Sequence, residues 1–90
     1  MDFEWHDSKD ALNITKHGLS FYVAQDAFFD ENKVIIVDKV HSSVEKRYFC
    51  IGKIPSGDII TVRFTNRNGR IRIIGAGYWR KGRKIYEQHK

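Results

Sequence analysis

An α+β fold is predicted for this 90-residue chain on three observations. Apolar residues recur at helical spacing only in the first third. Four runs rich in β-branched and aromatic residues follow, joined by short turns. The last stretch is polar and strongly basic. Two N-terminal helices, an antiparallel β-sheet meander and a short basic C-terminal helix account for this order. They form one domain over residues 1–90, with the helices expected on one face of the sheet.

Each element has a local reason. Phe3-Glu4-Trp5 alternates and reads as a short edge strand. Asp7 and Asp10 make an approximate capping box for a helix running to His17. Gly18 is expected just past its end, and Lys16 and His17 in the last turn favour its dipole. Ser20 is placed to cap a second helix, whose Phe21, Ala24, Ala27 and Phe28 should face the core. Asp30-Glu31-Asn32 breaks that pattern.

The period then shortens. Val34-Ile35-Ile36-Val37 is a β-branched strand, and residues 47–51 form a second. Ile54-Pro55-Ser56-Gly57-Asp58 is a turn, and residues 59–65 form a third strand. Asn66-Arg67-Asn68-Gly69 is a hairpin turn, because Asn-Gly tolerates positive φ. Residues 70–74 make the fourth strand of the meander. Gly75-Ala76-Gly77 leads to a basic helix over residues 79–88.

Composition excludes several function classes. Hydrophobic residues make up 41%, enough for a packed core rather than disorder. No apolar run approaches the ~20 residues of a membrane span. The acidic start has no signal-peptide character, and the lone Cys50 rules out an internal disulfide. A cytoplasmic location and no membrane partner are expected, with Cys50 as a small core residue. No P-loop, dinucleotide fingerprint, serine elbow or metal-ligand spacing is present, so no cofactor and no metal are expected.

Charge carries the functional signal. Residues 63–90 hold nine Lys and Arg against one acid, Glu87, whereas residues 1–62 hold seven against ten acids. A chain polarised in this way presents a focused positive field to a polyanion or an acidic protein. Like charge at this density, with Gly82 inside it, is expected to depend on such a partner for order.

Alternation then places the arginines. Ile60, Val62 and Phe64 take the core face of the third strand, so Arg63 projects away from it. On the fourth strand Arg72 is expected to share a face with Ile74, Ala76 and Tyr78. Arg63, Arg72 and Tyr78, beside Arg80, Lys81 and Arg83, would line a phosphate groove. Arg47, Arg67 and Trp79 extend the candidate phosphate and base contacts, Trp79 as a stacking ring or as a core anchor. His41 and Glu45, ahead of Arg47, are candidates for proton transfer, or else a solvated loop with a Glu–Arg pair.

Phe3-Glu4-Trp5, Lys9, Asn13 and Lys16-His17-Gly18-Leu19-Ser20-Phe21 closely resemble the opening of the BrnT toxin family. The His41…Glu45…Arg47 spacing, Ile51-Gly52 and Arg70-Ile71-Arg72-Ile73-Ile74 continue the resemblance over essentially the whole chain. It implies a RelE/ParE-like fold and a metal-independent endoribonuclease toxin of a type II toxin–antitoxin system. It also implies a BrnA-type ribbon-helix-helix antitoxin as partner, RNA as substrate, and operator DNA bound only through the antitoxin. In that reading Arg72 and Arg63 hold the phosphate, His41 or Glu45 moves the proton, and Tyr78 orients the substrate.

The chain departs from the family at one place. Where the family commonly reads Ile-Ser-Ala-Arg, this sequence reads Ile74-Gly75-Ala76-Gly77, and the following helix lacks the Glu of the family's Glu-Arg pair, with Arg80 just beyond as a substitute for the missing arginine. A catalytically weakened homologue, acting as a protein- or nucleic-acid-binding module, is the alternative expectation.

Overall fold

The computed structural model describes residues 1–89. Its elements are β1 (Phe3–Glu4), α1 (Asp7–His17), α2 (Phe21–Ala24), a 3-10 turn (Gln25–Phe29), β2 (Val34–Val37), β3 (Arg47–Lys53), β4 (Ile59–Arg67), β5 (Arg70–Gly77) and α3 (Arg80–Gln88). The strands form one sheet in the order β1-β5-β4-β3-β2. The pairs from β2 to β5 are antiparallel, β2 and β3 across the longer loop 38–46 and the others across short turns, while β1 adds to the edge parallel to β5. The sheet is therefore mixed. Its parallel edge is reached because α1, α2 and three strands intervene between the partners.

The α1 cap differs from the expected box. His6 is the cap residue and Asp7 already lies in the helix. Asp10 instead reaches across to accept the Phe21 backbone N–H at 2.8 Å, tying the start of α2 to α1. Gly18 ends α1 at φ 66°, and Ser20 Oγ accepts from the Val23 N–H at 3.1 Å. Asn68 (φ 52°) and Gly69 (φ 79°) form the two-residue turn between β4 and β5, so both strands run further than the sequence pattern indicated.

The main core lies between the sheet and the first two helices. Phe21, Ala24, Ala27 and Phe28 meet Cys50, Ile60, Val62, Phe64 and Ile73 there. Burial pushes the Cys50 thiol up to about 12, so it stays an inert core residue. The expectation that all helices share one face is corrected by α3. Its Ile85 and Tyr86 pack with Val34, Ile36, Ile51 and Ile59 on the opposite face. Gly82 permits this approach, since a Cβ there would collide with Thr61 Oγ1. Tyr86 donates a hydrogen bond to Asp30 Oδ2 at 2.6 Å and pins the helix. The basic end is thus helical and docked in the isolated chain, because an apolar stripe offsets its charge. Lys90, counted with that end, lies outside the described residues.

Candidate functional site

Helix α3 covers only part of its face of the sheet, and the uncovered part carries the arginines. Cross-strand register places Arg47 and Arg72 on either side of Thr65, and Phe49 and Gly75 on either side of Arg63. Arg67 and Arg70 pair at the hairpin end of the same face. Three acids neutralise these arginines locally. Glu4, brought in by β1, takes Arg72 Nη1 at 2.9 Å and Arg70 Nε at 3.2 Å. Glu45 takes Arg67 through two hydrogen bonds of 2.9 and 3.2 Å. Asp38 lies 3.6 Å from Arg63 Nε, an ion pair beyond hydrogen-bond reach.

Asp38 joins His41 to this face, and sequence reasoning missed it. It follows β2, is 4% exposed, and its Oδ2 sits 2.9 Å from His41 Nδ1. Burial raises the carboxyl's pKa, but the His41 hydrogen bonds and the Arg63 charge outweigh that and hold it below the ordinary value. An ionised carboxylate only accepts, so Nδ1 carries the proton and Nε2 is the nitrogen left for chemistry. The signal in the sequence was an acid three residues before a histidine at a strand end.

Glu45 stands apart from His41. The Arg67 hydrogen bonds hold its carboxyl below the ordinary value, which makes it a poor base at neutral pH. The two residues proposed together from sequence thus serve different arginines.

Tyr78 is a correction. The register shifts between Arg63 and Phe64, leaving Ile74 as an extra residue in β5. The bulge resets alternation. Ala76 joins the core beside Ile73, and Gly75 and Gly77 take the face of Arg72. Tyr78 accordingly leaves the arginine face and lines a recess with Ile14, Gly18, Val23, Ile54 and Pro55. Asn13 holds the bulged stretch in place, accepting the Ala76 N–H at 3.2 Å and donating to the Leu19 carbonyl at 2.8 Å.

Trp79 remains at the site. Its ring lies 5.4 Å from that of Phe49, over which the Arg63 guanidinium sits at 5.7 Å. The Lys81 ammonium lies 5.9 Å from the Trp79 ring. Arg80 is exposed at the start of α3, and Arg83 pairs with Glu87 along the helix at 3.4 Å. Of the basic helix, Lys81 is therefore the residue tied to the arginine face by a ring contact. Phe49, Trp79, Thr61, Arg63, Asn13, His17, Gly75, Ala76 and Gly77 line an open recess of about 440 Å³. Among the described residues, no group of three or more His, Cys, Asp or Glu is placed to hold a metal ion.

No curated protein matches the chain. The crystal structure of the Brucella abortus ribonuclease toxin BrnT superposes with a TM-score of 0.68 over 88% of this chain and 96% of that one. At 22% identity the likeness is one of fold. Residues 5–82 match the family described as the ribonuclease toxin, BrnT, of type II toxin–antitoxin systems, which is most of the chain. This protein therefore belongs to the BrnT family of ribonuclease toxins.

Proposed function

We propose that the chain is a cytoplasmic, single-domain endoribonuclease that cleaves RNA on the arginine face without a metal. The observation that carries this reading is the cluster of Arg47 and Arg72, on either side of Thr65, with Arg63 two residues along β4 on the same face and the Asp38–His41 pair beside Arg63. In the proposed reaction a ribose 2′-hydroxyl attacks the adjacent phosphorus. Its proton passes to His41 Nε2, and the bond to the 5′ oxygen breaks. That oxygen takes up a proton from water, and His41 returns its own to solvent, leaving a 2′,3′-cyclic phosphate and a 5′-hydroxyl. Arg63 and Arg72 stabilise the charge that builds on the phosphoryl oxygens, in a geometry the sheet sets beforehand.

A type II toxin has an antitoxin partner. We assign it to the BrnA ribbon-helix-helix type, with operator DNA contacted through the antitoxin alone. The arginine face is the surface an acidic segment of that partner would cover, since it competes with phosphate for the same cations. Induction in a growing culture tests the reading. Wild type should arrest growth, and Arg72→Ala at equal soluble expression should not. Growth arrest by the variant would remove the arginine face from the argument.

A second reading is favoured by Gly75 and Gly77, which leave no side chain where the family commonly has Ser and Arg. A binding module without catalysis would be harmless on induction and would still co-purify with the antitoxin.

A further inference from the structure

β2 forms one edge of the sheet, and nothing in the strand guards that edge. Val34-Ile35-Ile36-Val37 contains no charge, no proline and no bulge. Proteins ordinarily place such features on an edge, because its free N–H and C=O groups pair with another extended chain. The opposite edge is the two-residue β1, whose Glu4 is held by Arg70 and Arg72.

Register shows which backbone groups are free. The Asp38 N–H donates to the Arg47 carbonyl at 2.8 Å, and β2 pairs with β3 without a break from Val34 to Val37. Hydrogen-bonding direction alternates along an antiparallel strand, so Val34, Ile36 and Asp38 aim their backbone groups at β3. Ile35 and Val37 aim theirs at solvent. Their side chains are exposed as well, at 48% and 42%. The Lys33 N–H is held by the Asp30 carbonyl at 3.1 Å, which leaves the Lys33 C=O as a further acceptor on this edge.

We propose that β2 is a self-pairing edge, to which a second copy of this chain adds its own β2, antiparallel, about a two-fold axis at Ile35. Symmetry selects the register. Directly opposed residues in a sheet point to one face, and a two-fold axis normal to the sheet keeps the faces of both copies aligned. Val34 and Ile36 pack toward α3, so they oppose each other, and odd-numbered residues oppose odd ones.

Centring on Ile35 sets Ile35 against Ile35 and Val34 against Ile36. The two Ile35 residues exchange N–H···O=C bonds, and each Val37 N–H donates to the Lys33 carbonyl of the other copy. The Lys33 stem covers the Val37 side chain, and the exposed Glu31 lies toward the exposed Lys39 of the other copy. Centring on Ile36 instead sets Lys33 against Lys39, like charge on like. The pairing joins two five-stranded sheets into one, with both arginine faces on the same side. It does not depend on RNA cleavage.

Sedimentation equilibrium of the full chain over a range of concentrations tests the pairing. The mass should rise from one chain toward two as concentration increases. Amide exchange gives the reading by residue: Ile35 and Val37 should slow with concentration, whereas Ile36, bonded to β3 in the monomer, should not. Ile35→Pro removes an N–H that β3 does not use, and should weaken association at least about tenfold. Should Ile35→Pro lose its fold, Glu31→Lys decides. It should weaken association several-fold, and adding Lys39→Glu should restore it. A chain that stays monomeric at every concentration overturns the proposal, as does association unchanged in the variant that decides. Protection of the Ile35 and Val37 amides only when the antitoxin is bound assigns the edge to that partner and overturns self-pairing.

Discussion

His41 Nδ1 lies 2.9 Å from Oδ2 of Asp38, a buried acid that also faces Arg63 at 3.6 Å. One carboxylate therefore sets the position of a candidate base and of a candidate phosphate ligand. Removing its charge should disturb both at once.

Asp38→Asn should lower RNA cleavage by at least about tenfold, the scale of a mispositioned acid–base group. Acid titration gives an independent readout. A carboxyl held below its ordinary pKa stabilises the fold above the unfolded value near ~3.9. That stabilisation is lost as pH falls through the lower, folded value. The wild type should therefore lose stability more steeply below about pH 4 than Asp38→Asn does. Parallel acid-unfolding curves would show that Asp38 contributes no such linkage.

Arg72 pairs with Glu4 at 2.9 Å, both side chains about a quarter exposed. A pair so placed contributes roughly 1 kcal/mol or less to stability. Arg72→Ala should thus melt within a few degrees of wild type while cleavage is lost. The log–log salt slope of RNA binding should flatten by about one in Arg72→Ala and in Arg63→Ala. Arg83 spends its charge on Glu87, so Arg83→Ala should flatten it less.

The Asp30 hydrogen bond, with burial, pushes the Tyr86 hydroxyl up to about 12. A phenol raised above its unfolded value near ~10 contributes stability that is complete below ~10 and lost as pH rises toward 12. Tyr86→Phe should remove this alkaline transition and cost about 1–2 kcal/mol at neutral pH. Denaturant melts at pH 7 and at pH 11 would reveal it.

Gly82→Ala tests the docking of α3. Alanine gains about 1 kcal/mol of helix propensity but drives a methyl into Thr61, which is β-branched and stiff. Overpacking of this kind costs about 1–3 kcal/mol, and Trp79 Cε3, 3.2 Å from the new Cβ, adds to it. The net change should be a lower melting temperature, read by circular dichroism.

Much of the fold was legible because its signals are local. Ser20, Gly18 and Asn68-Gly69 each act within a few residues, and Val34–Val37 is bounded by its own composition. The sites that misled depend on partners far along the chain. Strict alternation carried Tyr78 onto the arginine face, and a single extra residue at Ile74 took it off. The glycine beside Ile74 was the available hint, since glycine in a strand often marks a bulge. Asp10 looked like a cap because Asp7 stands three residues before it, yet its partner is the Phe21 backbone. The packing of α3 on the second face of the sheet went unseen because Thr61 and Thr65 read as polar, and a helix packed at Gly82 explains the burial of Thr61.

The central claim is that arginines on a sheet face, rather than a metal ion, stabilise the reacting phosphate. Incubation of purified protein with RNA in EDTA, followed by analysis of the ends formed, tests it most directly. The account predicts cleavage that persists in EDTA, leaves 2′,3′-cyclic phosphate and 5′-hydroxyl ends, and disappears in Arg63→Ala. Cleavage that stops in EDTA and returns only with a divalent cation would contradict it.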